Sequence, residues 1–286
     1  MKSSGVEPFR LFQSKDERKD NPSIGGLGFL DCPETPLPSP PPSVEVLPSE
    51  GSSSVKYTVQ KVDLGVVTLL KGRVSTQEVF KLSNSDLVPG KYEGGLKLWE
   101  GSLDLVKALD SDIQKGNLSF EGKRVLEGAA AVHFQDFNAE VLQHLTIANV
   151  NANLPNENSL LDKGKVRYFA GDWSGVQHIL PYAHSHSEDT SLSAEDPVGG
   201  YNVILMAETV YSISTLHSLY ELIKKCIRRP HGVVYMAAKK YYFGVGGGSR
   251  RFLSIVEKDG VMTASLIAEV ADGSSNVREV WKLSFK

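Results

Sequence analysis

Two acidic side chains stand where the sequence ends an apolar, strand-like run. Asp136 follows "AAVHFQ", Glu208 follows "VILMA", and Tyr211 comes three positions after Glu208. A carboxylate offers two acceptor oxygens, so an acid at the end of a nucleotide-binding strand can accept both hydroxyls of a ribose. For Asp136 the alternative is a helix N-cap ahead of "NAEVLQHL", a role that Asn138 could fill as well. Glu208 is a candidate functional acid because its strand offers it no other partner.

A third candidate site follows the apolar run "KVRYFA". Gly171, Asp172 and Trp173 place a small residue, a polar acceptor and a flat ring in succession. Such a group would suit an adenine base. The alternative is a turn beside a core tryptophan.

The elements that must position these residues alternate between strand and helix. The sequence predicts strands at "KRVLE", "AAVHFQDF", "KVRYFAGDW", "YNVILMAETVY" and "GVVYMAAKK", helices at "NAEVLQHLTIANVNAN", "STLHSLYELIKKCI" and "RRFLSIVEKDG", and final strands at "TASLIAEVAD" and "REVWKLSFK". Alternation of this kind predicts an α/β fold with a mostly parallel sheet and an antiparallel hairpin at its edge. Ligands of such sheets bind at the carboxyl ends of the strands, where the candidate acids stand.

The chain before this region divides into two parts. Residues 1–54 are rich in Pro and Ser, as in "PLPSPPPSVEVLPSEGSSS", and we expect a disordered leader because so few apolar residues cannot offset the entropy of ordering. The proline tract could be a plain linker or a polyproline ligand. Residues 55–286 form the predicted domain. It opens with a β-rich element that turns at Gly65 and Gly72, followed by a helix from near Trp99 to before Gly116.

One junction breaks the alternation. Only Gly128 and Ala129 separate "RVLE" from the strand that begins at Ala130. Two parallel strands are usually joined by a crossover of a dozen or more residues. The sequence therefore predicts a missing first crossover, with the two strands reversed like a hairpin, fused into one strand, or reduced to one in the sheet.

Composition excludes several classes of protein. The 286 residues include 41% hydrophobic and 23% charged residues with a formal net charge of -3, which favours a globular protein and no polyanionic partner. The sequence contains neither a long apolar span nor a signal-like start. We expect an intracellular monomer without direct nucleic-acid or membrane partners. Cys32 and Cys226 indicate neither a disulfide framework nor a zinc site.

Two further motifs have competing interpretations. "FGVGGGSRRF" imitates a dinucleotide-binding fingerprint, but too little chain follows it for the required fold, and a flexible loop facing the substrate is the better interpretation. His178, His184 and His186 could suggest a metal site. They stand in a Ser-rich stretch without flanking cysteines, so we expect a solvated loop and no metal.

Five stretches together carry a family resemblance: "GKYEGGLKLWEGSLDLVKAL", "VHFQDFNAEVL", "YFAGDWS", "VILMAETVY" and "KKYYFGVGGG". In this order they resemble the protein-histidine N-methyltransferases, the histidine protein methyltransferase 1 homologue group of the seven-β-strand S-adenosylmethionine-dependent methyltransferases. The resemblance runs over residues 57–286. It implies a Rossmann-like seven-stranded sheet and transfer of a methyl group from S-adenosylmethionine to a histidine ring nitrogen of a protein. It further implies a large-subunit ribosomal protein as substrate, and a cytoplasmic and nuclear location.

The resemblance also implies roles for individual residues. The cofactor would contact a closing segment, a ribose turn, an adenine-side loop and the end of the fourth strand, at Leu98, Trp99, Glu100, Gly101, Gln135, Asp136, Phe137, Gly171, Asp172, Trp173 and Ala207. Glu208 and Tyr211 resemble an acid-x-x-tyrosine signature and are the catalytic candidates. The reaction needs a neutral imidazole with its lone pair free, and Glu208 or Tyr211 could accept the hydrogen on the other ring nitrogen.

The same resemblance interprets the short junction. Members of the family carry a glycine-rich loop and a helix after the first strand, and roughly fifteen residues of that kind are absent after Glu127. We therefore expect weak cofactor binding. Two alternatives remain beside the histidine methyltransferase: a catalytically dead binding module, and a lysine-directed protein methyltransferase.

Overall fold

The structure is a computed structural model that describes residues 38–51, 54–65, 67–83, 85–126, 131–154, 166–181, 199–271, 273 and 276–286. The strands within these ranges are β1 (Val44–Val46), β2 (Thr58–Asp63), β3 (Thr68–Arg73), β4 (Arg124–Leu126), β5 (Ala131–Asp136), β6 (Val166–Ala170), β7 (Val203–Ala207), β8 (Val233–Lys239), β9 (Met262–Val270) and β10 (Arg278–Phe285).

The helices largely match the predicted periodic segments. They are α1 (Thr76–Phe80), α2 (Glu100–Gln114), α3 (Ala139–Val141), α4 (Ile147–Asn153), α5 (Trp173–Val176), α6 (Leu216–Cys226) and α7 (Ser249–Asp259). A π-helical segment, Leu142–Thr146, joins α3 to α4 without a break. The predicted helix from near Trp99 is confirmed as α2, which buries Leu105 and Leu109 on one face.

Eight strands form one sheet in the order β1-β6-β5-β4-β7-β8-β10-β9. Its part β6-β5-β4-β7-β8 is parallel and has the 3-2-1-4-5 order of a doubly wound nucleotide-binding sheet. β10 pairs antiparallel with both β8 and β9, so the predicted edge hairpin is confirmed. The α/β prediction is confirmed too, with β1 as an additional strand. The order reverses between β4 and β7, which is where such sheets bind ligands.

Apolar strands and amphipathic helices explain this layering. β8 buries consecutive residues from Val234 to Ala238, as expected for a central strand covered on both faces. One face packs against α6 and α7, where Tyr220 and Phe252 are fully buried. The other face packs against α2 through Leu105 and Leu109. The sheet is thereby held rigidly under the carboxyl ends of its strands.

The short junction does not produce a fused strand or a hairpin, so that prediction is wrong. β4 and β5 are parallel neighbours, with Arg124 opposite Ala131 and Leu126 opposite His133. The chain must return from Leu126 by two residues along the strand and one strand across, about 8 Å. Five residue steps can span up to about 17 Å, so the connection fits without a helix. Residues 127–130 themselves lie outside the described residues.

Part of the predicted leader, residues 1–54, is ordered as a strand. β1 pairs antiparallel with the outer edge of β6, and Val46 is buried beneath it. Arg167 on β6 donates two hydrogen bonds to the carboxylate of Glu45, at 2.7 and 2.6 Å. Pairing with an exposed sheet edge orders a segment whose own composition would not. Residues 1–37 lie outside the described residues.

The β-rich element near the start of the domain is the antiparallel hairpin β2–β3. It turns near Gly65, which has a φ of 82°. Gly72 does not form the second turn that we predict, because it lies inside β3. A side chain there would collide with the ring of Tyr57, whose nearest atom would lie 1.9 Å from an added Cβ.

The described residues contain neither a membrane-spanning helix nor a metal-binding group. No helix there is long and apolar enough to cross a membrane. No group of His, Cys, Asp and Glu in the same ranges could hold a metal ion. His184 and His186 lie outside the described residues, whereas His178 is described.

Candidate functional site

A cleft of about 370 Å³ opens at the carboxyl ends of β5, β6 and β7. Residues 89–99, here called the cover segment, form its outer wall. Most of the predicted site residues line it: Trp99, Gln135, Asp136, Phe137, Gly171, Asp172, Trp173, Ala207, Glu208 and Tyr211. The sheet order thus brings together side chains that are far apart in the sequence.

Asp136 ends β5 and faces the cleft. Its Oδ1 accepts a hydrogen bond from the backbone N–H of Asn138 at 2.9 Å. Gly95 of the cover segment passes so close that an added Cβ would lie 2.3 Å from Asp136 Oδ2. Burial raises the pKa of Asp136 to about 7, and the nearby charges of Glu93 and Glu140 also raise it. The site therefore holds an acid poised between its neutral and charged forms.

The loop that follows β6 is held by the side chain of Gln135 from β5. Gln135 Nε2 donates to the carbonyl of Gly171 at 3.0 Å, and Trp173 Nε1 donates to Gln135 Oε1 at 3.2 Å. Asp172 Oδ1 accepts the N–H of Ser174 at 2.8 Å, so Asp172 is the N-cap of α5. The flat ring of Trp173 is consequently fixed beside the cleft, while one oxygen of Asp172 is occupied.

Glu208 has an unusual backbone conformation, and each of its carboxylate oxygens accepts a hydrogen bond from the protein. Its φ of 58° is rare for a residue with a side chain, and the residue is 8% exposed. Oε1 accepts the N–H of Gly101 at 3.2 Å, and Oε2 accepts the hydroxyl of Tyr242. Burial raises the pKa of Glu208, and the bond from Tyr242 opposes that effect. Glu208 thus joins the end of β7 to the first turn of α2, instead of presenting a free acceptor.

Tyr211 is paired with an acid that the sequence analysis did not select. Its hydroxyl donates to Glu93 Oε2, and Glu93 Oε1 accepts the N–H of Gly90 at 2.6 Å. Both side chains line the cleft. Burial, and then the bond to Glu93, raise the pKa of Tyr211, so the phenol remains protonated.

Asn138 ties the cover segment to the end of β5. Its Oδ1 accepts the N–H of Glu93 at 3.1 Å, and its Nδ2 donates to the carbonyl of Lys91 at 2.8 Å. The side chain makes no N-cap bond to α3. Asn138 is 4% exposed, so these two bonds satisfy its buried amide.

The glycine run after β8 supports Tyr211. The N–H groups of Gly247 and Gly248 donate to the carbonyls of Tyr211 and Val210, at 2.9 and 2.8 Å. An added Cβ on Gly247 would lie 2.2 Å from the carbonyl oxygen of Tyr211, so only glycine allows this approach. These glycines are part of the framework of the site. The loop's tip faces solvent, with Phe243 73% exposed.

The remaining predicted residues lie at the start of α2. Trp99 Nε1 donates to the carbonyl of Gly94 at 3.0 Å, and the ammonium of Lys97 lies 4.4 Å from the ring centroid. Gly101 contacts Glu208, whereas Leu98 is half-buried and Glu100 is exposed. Leu98, Glu100 and Gly101 are not among the residues that line the cleft.

Sequence reasoning missed Glu93, Gly95, Tyr242 and the bridging role of Asn138. Glu93 and Gly95 belong to "KYEGGLKLWE", and Tyr242 belongs to "KKYYFGVGGG". Both stretches carried the family resemblance, so they were available as signals. Neither stretch has the periodicity of a helix or a strand, so the sequence alone does not predict which way these side chains point.

Among the described residues, the side chains that line the cleft beside β4 are apolar. They are Leu126, Ile204, Met206 and Leu219. These side chains offer no hydrogen bond to a polar ligand. The acidic and phenolic groups of the described cleft lie instead at the ends of β5, β6 and β7 and in the cover segment.

Comparisons with known proteins give several similar relatives, among them the following two. The chain is 32% identical to the histidine protein methyltransferase 1 homologue of Dictyostelium discoideum over 219 residues, covering 72% of this chain and 62% of the relative. It is 30% identical to the homologue of Rattus norvegicus over 275 residues, covering 85% of this chain and 70% of the relative. Across the curated relatives it matches, the chain spans 60% to 70% of their length. No family model matches it.

One solved structure has a partial similarity to this chain. The T. Thermophilus 16S rRNA N2 G1207 methyltransferase RsmC, in complex with AdoMet and guanosine, is 14% identical, with a TM-score of 0.46. The similarity covers 82% of this chain and 51% of that chain.

Proposed function

The chain belongs to the histidine protein methyltransferase 1 family, and from that premise we propose that it transfers a methyl group from S-adenosylmethionine to a histidine ring nitrogen of a protein. One observation carries the proposal: the acid that ends β5 and the tyrosine that follows β7 line the same cleft at the switch point of the sheet. The first suits a ribose, and the second suits an imidazole N–H.

The residues at β5 and β6 fit the nucleoside part of the cofactor. Asp136 has one oxygen bonded to a backbone N–H and faces the cleft, as a ribose-binding carboxylate should. Trp173 offers a flat ring for adenine. Gly171 is glycine for another reason, because an added Cβ would lie 2.3 Å from Ser43 Oγ. S-adenosylmethionine supplies the methyl group on a sulfonium sulfur. The protein's task is then to align a neutral imidazole with that methyl group and to exclude water.

Tyr211 is a better acceptor for the imidazole than Glu208. Both oxygens of Glu208 already accept hydrogen bonds from the protein. The hydroxyl of Tyr211 uses its only hydrogen in the hydrogen bond to Glu93, so its oxygen can still accept a hydrogen bond. A hydrogen bond from one imidazole nitrogen to Tyr211 leaves the other nitrogen with a free lone pair, which is the nucleophile that the reaction needs.

The rim of the cleft suits a protein substrate. Ile213, Phe243 and Val245 are exposed apolar residues, and Val245 also lines the cleft. Exposed apolar residues beside a site support binding of a macromolecule. A large-subunit ribosomal protein, met in the cytoplasm and nucleus, is the substrate that the family resemblance suggests.

A second candidate function is a binding module that no longer catalyses. The four-residue junction from β4 to β5 and the apolar wall at Leu126 favour it, because they leave no room for a glycine-rich loop followed by a helix. Such a module would keep the rim for a partner protein and bind S-adenosylmethionine weakly or not at all.

A methylation assay tests the proposal. The full chain is incubated with S-adenosylmethionine carrying a deuterated methyl group and with large-subunit ribosomal proteins that lack methylhistidine. We expect deuterated methylhistidine after acid hydrolysis, and none with Asp136→Ala. A correctly folded chain that binds the substrate proteins without methylating them would support the binding module instead.

A further inference from the structure

Five acidic or phenolic side chains line the described cleft: Glu93, Asp136, Asp172, Glu208 and Tyr211. Asp136 and Asp172 lie at the ends of β5 and β6, on the side proposed for the nucleoside. Each carboxylate oxygen of Glu93 and Glu208 already accepts one hydrogen bond from the protein. The hydroxyl of Tyr211 donates its hydrogen to Glu93, and its oxygen has a lone pair for an imidazole N–H.

We propose that Glu93 is a positioning residue. It accepts the hydrogen bond from the hydroxyl of Tyr211, so that the phenol oxygen in turn accepts the N–H of the target imidazole. The inference rests on the proposed function and assigns a role to a residue of the cover segment. A lone tyrosine could donate to the imidazole nitrogen or accept from it, and donation would block a nucleophilic lone pair. With its hydrogen engaged by Glu93, Tyr211 can only accept. One ring tautomer is selected, and therefore one site of methylation.

Hydrogen bonds fix Glu93 from three directions. Gly90 donates its N–H to Glu93 Oε1, and Tyr211 donates to Oε2. The backbone N–H of Glu93 donates to Asn138 Oδ1, and the backbone N–H of Asn138 donates to Asp136. One residue thereby connects the ribose-binding acid to the acid behind Tyr211. The carboxylate of Glu93 has little freedom to leave its place.

The pair also provides a path for the proton. When the lone pair of one ring nitrogen forms the new N–C bond, the C–S bond breaks and the sulfur keeps its electrons. The ring becomes a methylimidazolium that still carries hydrogen on its other nitrogen. That hydrogen passes to the oxygen of Tyr211 while the hydroxyl hydrogen passes to Glu93, which leaves the ring neutral and Glu93 protonated. The acid then returns its proton to solvent.

The site of methylation is the most direct readout. The two methylhistidine isomers are separated after reaction of the wild-type chain, Glu93→Gln and Tyr211→Phe with large-subunit ribosomal proteins. We expect one isomer from the wild type and a ratio relaxed about tenfold in each variant, as loss of one selective hydrogen bond predicts. The double variant should behave like either single variant, because the two residues act as a unit. Glu257→Gln, the same change on the exposed face of α7, is the matched control.

A second readout does not need turnover. Ring-15N-labelled Nα-acetylhistidine amide is titrated with the protein in the presence of S-adenosylhomocysteine, and its nitrogen shifts report the bound tautomer. We expect the wild type and Glu257→Gln to favour one tautomer, and the two site variants to lose that preference. The proposal is overturned if the variants keep a single product isomer, or if the wild type selects no tautomer. A wild type that selects a tautomer but methylates no histidine would instead contradict the proposed function.

Discussion

At the end of β7, Glu208 and Tyr211 each bond to a side chain or backbone group from another segment, whereas at the end of β4 the cleft is lined by the apolar side chain of Leu126. Several hydrogen bonds and close glycine contacts hold the first region in place. In the second region, only four residues connect β4 to β5. The side that would hold the imidazole is thus more completely built than the side that would hold the methionine part of the cofactor.

The register of the sheet at β4 does not depend on the length of the junction that follows it. Removing one crossover leaves the register of β4 and β5 intact, because pairing within the sheet and burial of Val125 hold β4 in place. The parallel register of β4 and β5 is therefore compatible with a junction of four residues. Stability and cofactor affinity should respond to different mutations in this protein.

The largest effect should come from Asp136→Ala. A carboxylate that accepts ribose hydroxyls contributes roughly 1.5 to 3 kcal/mol per charged hydrogen bond, so the Kd for S-adenosylmethionine should rise at least about tenfold. Isothermal titration measures it. An unchanged Kd would remove Asp136 from the cofactor site, and Asp110→Ala, at a half-buried position of α2 that does not line the cleft, is the control.

Deleting residues 1–50 should lower the melting temperature by about 5 °C or more. The deletion removes β1, and a fully buried valine such as Val46 stabilises by about 1.5 to 3 kcal/mol before its strand hydrogen bonds are counted. Calorimetry provides the comparison. A shorter deletion of residues 1–36 keeps β1 and isolates its contribution, and equal melting temperatures for the full chain and the 1–50 deletion would show that β1 adds nothing.

Asp136→Asn should stabilise the protein at high pH while weakening cofactor binding. The pKa of Asp136 is raised in the fold to about 7, so the folded state prefers the neutral acid. The stabilisation that the folded state gains from the neutral acid is complete below about pH 4, and it is lost as the pH rises through about 7. The variant, which is neutral at every pH, should therefore melt above the wild type at pH 8 and level with it near pH 4. A gap that widened toward low pH would contradict the burial of this charge.

The smallest effect concerns the rim. Phe243→Ala should raise KM for a protein substrate about threefold to tenfold, as loss of a partly buried aromatic contact predicts, and leave the cofactor Kd unchanged. Leu266→Ala removes an apolar side chain that is 44% exposed on β9 and serves as the control. Equal KM values for the two variants would place substrate binding elsewhere.

The sequence predicts the regular elements and the residues at strand ends, because periodicity and position at a strand end are local properties. Asp136 and Trp173, predicted in this way, both line the cleft. The partners of Glu208 come from α2 and from the segment after β8, so only tertiary structure shows that both of its oxygens are engaged. β1 is missed for the same reason: three residues in a proline-rich stretch are ordered by the edge of β6. The parallel pairing of β4 and β5 is missed because the usual crossover length applies to connections that contain a helix. The shortest chain that can join two parallel strands is set by chain geometry and is much shorter.

One titration tests most directly the contrast between the two sides of the cleft. S-adenosylmethionine and Nα-acetylhistidine amide are each titrated into the chain, and into a variant with a glycine-rich loop and a helix of about twelve residues inserted after Glu127. We expect the insertion to tighten S-adenosylmethionine binding at least about tenfold, since it adds backbone N–H donors, while the histidine probe binds both proteins equally. Equal affinity of both proteins for S-adenosylmethionine would contradict the account.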